Sequence, residues 1–373
     1  PRGTVLFNTR RSGMNVKKFA VDYLTAGAGQ HGGTDTETST WVTASGNDTN
    51  GVAYQGSAAQ RNMVVQALIS AVENSSELLD QFYNFNLMAC PGYPELLPTL
   101  VQLNETRGET AFIVADSPLT LAANANALNT WANNLNGAAT DGNEGLVTFY
   151  DYAAVYYPAG LTTDLSGNPI VVPSSYMALP TIIQSDAISY PWFAPAGATR
   201  GVVTNVSSIG YVNETTGTYV PNSVSQVLRD VLYPASVNPI SNFTNGGIEL
   251  YGQKTRSGQS TELSRINVAR LVIYLRNALS LIGKQFLFEQ NDSTTRSAIA
   301  YQIADFLKSL QAQRAISDYA VVCDLTNNTP ATIDANELYV DVAIAPITSV
   351  EFIYIPLTLV GQGVLTSSSV TSS

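Results

Sequence analysis

One stretch constrains the fold more than any other: the apolar periodicity running from about Ser264 to Ala315. Val268, Leu271, Val272, Leu275, Leu279 and Ile282 recur at three- and four-residue steps, which places them on one face of a 3.6-residue helix. Ile299, Ile303, Phe306, Leu307 and Leu310 repeat the pattern. Between the two, Phe286 to Asp292 breaks it, and Asn291 or Asp292 can accept hydrogen bonds from the open amides that start a second helix. Everything after Ala315 reads as short strands. Leu338, Val340, Val342 and Ile344 alternate with Tyr339, Asp341 and Ala343, and Asn327 to Pro330 forms a turn. A helical pair followed by strands predicts helices laid on one face of a sheet.

Upstream, residues 58–160 alternate between the two periodicities. A helix is expected from Ala58 through Val64, Leu68 and Val72, then a strand at Phe85–Cys90. Pro91-Gly92 breaks the chain before a helix through Leu96, Leu97, Leu100 and Leu103. Ala111–Asp116 reads as a buried strand, Leu119, Leu121, Leu128 and Trp131 as a helix, and Val147–Tyr157 as a further strand. Continuous apolar strands alternating with helices predict a mainly parallel sheet. Residues 158–260 are richer in Pro, Gly, Ser and Thr and read as loops and hairpins.

A chain of 373 residues is too long for one ordinary core. The fold class expected is α/β and α+β multidomain. Residues 1–59 form a linker or loop segment. Residues 60–235 form a middle α/β domain with β-hairpin excursions. Residues 236–373 form a C-terminal α+β domain, a helical pair packed on a short β-sheet.

Charge is sparse and uneven. Only 13% of residues are charged and the net charge is −11. That balance opposes nucleic-acid binding, which needs a positive face for phosphates. Few charges also leave copies of the chain repelling each other weakly, which suits assembly. Residues 250–315 run against the trend, with 9 Lys/Arg and 4 Asp/Glu, a net of +5. The helical pair is thus a basic island on an acidic protein. No run of 18 uninterrupted apolar residues exists, so no membrane span is expected.

The chemistry-bearing residues form no constellation. His31 is the only histidine and lies in a Gly-rich loop, so a Ser-His-Asp triad would hang on it alone. Gly27-Ala-Gly29-Gln-His-Gly32 matches the dinucleotide fingerprint in spacing, but Thr-rich residues follow where a helix is required. Cys90 and Cys323 stand in apolar contexts without metal spacing and are expected to be free thiols. Asp116 ends a strand where α/β folds gather their sites, and Asp151 lies in another, but no second acid is brought beside Asp116 by sequence alone. A carbohydrate-active hydrolase working through paired carboxylates is therefore one alternative. A secreted adhesin is another, suggested by several Asn-x-Ser/Thr triplets such as Asn104-Glu-Thr106 and Asn205-Val-Ser207. No catalytic residue, cofactor or metal is assigned.

Four runs in the second half resemble the tail sheath proteins of contractile-tailed bacteriophages, in particular giant myoviruses. They are Ser189-Tyr-Pro-Trp-Phe-Ala-Pro-Ala-Gly197 with Arg200-Gly201; Val237-Asn-Pro-Ile240 with Gly247 to Thr255; Arg265-Ile-Asn-Val-Ala-Arg-Leu271; and Phe288 to Asp292 with Phe306-Leu307, Asn328-Thr329 and Val350-Glu-Phe-Ile353. Ala89-Cys-Pro-Gly92 and Ala153 to Pro158 are similar to that family's middle domain. The resemblance spans roughly residues 60–360. It implies a non-enzymatic subunit that forms stacked six-fold rings around a tail tube, meets a baseplate, and contracts. It also implies a virion component assembled in the bacterial cytoplasm, here an N-terminally truncated fragment that is monomeric in solution. Within that reading Lys308, Gln311 and Arg314, spaced by three along the second helix, are the candidate tube-contacting face.

Overall fold

A computed structural model describes residues 55–351 apart from 81, 215 and 245. His31, the Gly-rich fingerprint, most of the 1–59 segment and residues 352–373 lie outside the described residues.

In chain order the elements are α1 (Gln55–Glu73), α2 (Ser76–Leu79), β1 (Leu87–Met88), α3 (Leu97–Thr106), β2 (Phe112–Asp116), α4 (Ala125–Ala132), β3 (Ala153–Tyr157), β4 (Ala159–Thr163) and β5 (Pro169–Val172). They continue with α5 (Ser174–Ile188), α6 (Gly197–Arg200), β6 (Ser208–Val212), β7 (Tyr219–Pro221), α7 (Gln226–Leu232), β8 (Val237–Phe243) and β9 (Gly247–Leu250). Last come α8 (Ile266–Lys284), α9 (Ser293–Ala312), β10 (Ile316–Val322), α10 (Pro330–Asp334) and β11 (Asp341–Pro346).

The main sheet has the order β1-β2-β3-β8-β9. Its first four strands are parallel and β9 closes the edge antiparallel. Every residue of β2 and β3 is buried, as expected of central parallel strands covered on both faces. Helices α3, α5 and α8 pack on β2, and α5 also on β3. A second, antiparallel sheet has the order β5-β4-β6-β7, the hairpins expected in the Pro/Gly-rich region.

The division drawn from sequence at residue 236 falls inside the main sheet, because β8 pairs with β3 in the register Val155↔Val237 to Tyr157↔Pro239. Pro239 argues against a central strand, since it cannot donate to a ladder. It is tolerated at the last rung of the β3 pairing. Asn238 beside it donates through Nδ2 to Val155 O at 3.2 Å and Lys254 O at 2.7 Å.

Helix α5 stands where loops were expected. Its Ser-Ser-Tyr-Met-Ala-Leu-Pro start has no clear apolar stripe, and Pro180 sits inside it. Proline removes the bond to the carbonyl four residues back. That carbonyl, on Tyr176, is instead satisfied by Asn205 Nδ2 at 2.7 Å. Met177, Ala178, Thr181, Ile182 and Ser185 are buried, so tertiary packing holds the helix.

The helical pair forms as its periodicity predicts. Asp292 caps α9 by accepting from Thr295 N at 2.8 Å. Leu271, Leu275, Ile299, Ile303, Leu307, Leu310 and Ile316 make a second core, separate from the large core under the main sheet. Helix α8 belongs to both: Ile266, Ala269 and Ile273 face the sheet, Leu271 and Leu275 face α9. By length and hydropathy α8 could cross a bilayer; here it is packed between the two cores. The antiparallel pair β10–β11 lies against α9, turning Tyr319, Val321, Val342 and Ile344 inward.

Candidate functional site

The basic island of the helical pair folds mostly inward. Arg256 is buried and donates to four carbonyls: Thr148 O at 3.1 Å, Ala235 O at 2.6 Å, Ala132 O at 3.3 Å and Leu146 O at 3.2 Å. Its guanidinium also lies 4.4 Å from the Phe149 ring centre. Burial pulls its pKa down to about 10, against the pull of Asp141. Arg270, on α8, forms a bidentate pair with Asp186 on α5, at 2.8 and 2.5 Å. Arg276 pairs with Glu109 at 2.7 Å, and Arg265 pairs with Glu351. Arg296 is held by Asn291. Arg270 and Arg276 bind α8 to the upstream chain, Arg256 ties together loops beside the main sheet, and Arg265 and Arg296 hold partners within the C-terminal region. They do not form a cationic face, which periodicity and charge counting could not distinguish.

Lys308, Gln311 and Arg314 are all exposed. The structure separates them. Lys308 and Gln311 lie on the outer side of α9, and Gln311 Nε2 donates to Ser317 O at 2.7 Å. Arg314 lies beyond the helix end at Ala312, with φ 62°. Arg314 N donates to Gln311 O at 3.1 Å and Ala315 N to Leu310 O at 3.0 Å, a Schellman closure with arginine at the position glycine usually takes. Among the described residues neither Lys308 nor Arg314 makes an ion pair.

Arg314 instead borders a cleft of about 780 Å³ between the two cores. The Trp192-to-Arg200 run, α7, the chain after β9 and residues 347–351 form its walls. The aromatic–proline run is a packed corner. Tyr190 stacks on Trp192 with centroids 4.6 Å apart, and Trp192 meets Tyr274 edge-on at 5.3 Å. Trp192 Nε1 donates to Gln313 O at 3.2 Å, satisfying an open carbonyl at the end of α9. The cleft holds two acids, Asp230 and Glu351. Both Glu351 oxygens are occupied, by Gln253, Tyr233 and Arg265, so Glu351 is not presented as a nucleophile or proton donor.

Asp116 is a structural acid. It accepts from Gly92 N at 2.8 Å, Ser174 Oγ at 2.8 Å, Ser175 N at 2.5 Å and Ser175 Oγ at 2.9 Å. It thereby caps α5 and anchors the Pro91-Gly92 break, where Gly92 has φ 82°. Burial pushes its carboxyl above the usual range, and the hydrogen bonds from Gly92, Ser175 and Ser174 pull it back. The helix it caps is α5, not α4, the helix next in sequence. Asp151 is half-buried. Cys90 and Cys323 are free thiols, and burial raises both. Among the described residues no cluster of three His, Cys, Asp or Glu could hold a metal ion.

Sequence reasoning missed Glu351, Tyr233 and Gln253 as a unit, because they are scattered along the chain. The signals present were that Gln253 lies in the second of the four family-like runs and Glu351 in the segment that closes the last.

The phage tail sheath C-terminal domain family matches residues 259–359, which contain α8, α9, β10 and β11. A tail sheath protein of Vibrio phage KVP40 is 36% identical over 169 residues, covering 45% of this chain and 24% of that protein. The tail sheath protein of Enterobacteria phage T4 is 35% identical over 170 residues, covering 46% and 24%. The matched region therefore spans about a quarter of the length of these relatives. The sheath complex of an extracellular contractile injection system, PVC, in its contracted state shares the fold, with a TM-score of 0.58 at 21% identity over 77% of this chain and 74% of that one. The mixed α/β architecture is thus similar to that of contractile sheath structures, residues 259–359 match the phage tail sheath C-terminal domain, and the chain is similar over less than half its length to curated tail sheath proteins of phages.

Proposed function

We propose that the chain is a structural subunit of a phage contractile tail sheath. It polymerises in stacked six-fold rings around a tail tube, docks at a baseplate, and contracts to drive the tube through the host envelope. It does this in the virion tail, after assembly in the host cytoplasm. No residue performs covalent chemistry; rigid bodies move while intersubunit contacts change. The observation that carries this reading is the match of residues 259–359 to the sheath C-terminal domain, which coincides with the second core. The β10–β11 pair supports it. Among the described residues it is a two-stranded sheet with no further strand on either side, and such edges accept strands from neighbouring chains.

In this reading the C-terminal unit begins near residue 259, after the main sheet is complete, and the sheet unit is the middle domain. Lys308 and Gln311 present the outer side of α9 to the tube. Ion pairs made there are exposed and worth about 0–1 kcal/mol each, weak enough to exchange on contraction. The test is electron microscopy of tails carrying Lys308→Glu with Gln311→Glu. The double variant should leave many tubes unsheathed, and normal tube-bound sheaths would refute the tube-facing assignment. The broader reading is tested by removing the protein from the phage. Tails should then show bare tubes, and tails that keep a sheath would overturn it.

A further inference from the structure

Glu351 carries an arrangement that none of the foregoing requires. The chain leaves β11 at Pro346 and runs as a short strap, Ile347 to Glu351, along one wall of the cleft. One end of the strap is fixed by Ile347 N donating to Ala315 O at 3.2 Å, within the second core's own unit. The other end is fixed by the Glu351 carboxylate. Oε2 accepts from Tyr233 Oη at 2.9 Å, Oε1 accepts from Gln253 Nε2 at 3.1 Å, and Arg265 Nε pairs with Oε1. These donors come from the end of α7, the chain after β9, and the cap residue that precedes α8. Three separate elements of the sheet unit and its junction thus converge on one side chain. Between the fixed ends the strap is open, with Val350 78% exposed.

The carboxylate is well placed to hold. Its side chain is 13% exposed, so its charge-assisted bonds are shielded from water. Burial, and then Glu351 itself, push the Tyr233 hydroxyl above its ordinary value, which keeps it a donor. Lys254 sits 4.6 Å from the Tyr233 ring centre and backs the ring from the other side. The hairpin that the strap continues is only two strands, and a lone two-stranded hairpin is marginal in water. It depends on packing against α9 and on whatever fixes its ends.

We propose that Glu351 is a clasp: by binding Tyr233, Gln253 and Arg265 it locks the strap, and with it the β10–β11 hairpin, onto the sheet unit. The clasp does not depend on the sheath reading. Under that reading it sets where the β10–β11 edges stand for a neighbouring copy to reach.

Hydrogen–deuterium exchange on the isolated 373-residue chain, without tube or baseplate, tests it. Glu351→Ala should speed exchange in Ile316–Val322 and Asp341–Pro346 about tenfold or more, since locally opened units exchange independently of the rest. Phe112–Asp116 and Ala153–Tyr157 should exchange as in the parent chain. Tyr233→Phe, which deletes only the hydroxyl, should speed the same hairpin less, and should add nothing in the Glu351→Ala background. Unchanged hairpin exchange in Glu351→Ala, equal acceleration in the sheet strands, or additive effects of the two substitutions would each overturn the clasp. Because assembly is not part of the measurement, a failure of the sheath reading would leave this result untouched.

Discussion

The two cores solve the same problem differently. Under the main sheet, strands β2 and β3 are buried along their whole length, and the interior polar groups are bound on several sides. Arg256 donates to four carbonyls, Asp116 accepts four bonds, and Asn104 closes on Ala111 with bonds of 2.7 and 3.0 Å. The second core is a thin apolar seam between α8, α9 and a hairpin whose strands alternate between exposed and half-buried residues. Its attachments are long-range tethers: Arg270–Asp186, Arg276–Glu109, Trp192–Gln313 and Glu351. A sheet covered on both faces stabilises itself, whereas a helical pair with a two-stranded hairpin borrows stability from its surroundings. The first is held by its own covered strands, the second by its contacts with the rest of the chain.

The largest test of that contrast is Arg256→Leu. It strands three buried carbonyls and a part-buried fourth and should destabilise the sheet unit by roughly 3–5 kcal/mol, read as a lower midpoint in urea unfolding. A loss of a few tenths of a kcal/mol, about what a surface change gives, would show that the sheet does not rest on its polar interior. Trp192→Ala comes next. Removing a buried tryptophan costs about 3 kcal/mol or more. Here exchange protection should fall in α8, α9 and β10–β11 while β2 and β3 stay protected. Equal losses in both regions would make the two cores one cooperative unit and end the comparison. The smallest effect is a gain. Arg314 occupies a left-handed conformation at φ 62°, so Arg314→Gly should raise stability by about 0.5–1 kcal/mol, seen as a modest increase in melting temperature. A lower melting temperature would mean that the arginine side chain contributes to the cleft beyond its backbone strain.

Much of this was legible in local pattern. The α8–α9 break and the Asp292 cap follow from spacing and from a residue type suited to open amides. Strand β2 follows from a continuous apolar run, and β3 forms only the last part of the expected Val147–Tyr157 strand. Helix α5 was not legible, because Pro180 and its serines speak against a helix and its support comes from Asn205, far along the chain. Strand β8 was hidden by Pro239, whose defect is harmless only because β3 ends beside it. Lys308 and Gln311 share the outer side of α9, whereas Arg314 turns at the helix end to the cleft, a consequence of a closure that normally calls for glycine.

Sequence by itself determined the elements with strong periods and the family to which residues 259–359 are similar, since both are carried by residues close together in the chain. The tertiary structure alone decided which charges face inward, which strand completes the sheet, and that Glu351 meets Tyr233, Gln253 and Arg265. Those contacts join residues tens of positions apart, and no local preference encodes a partner that only the folded backbone brings within reach.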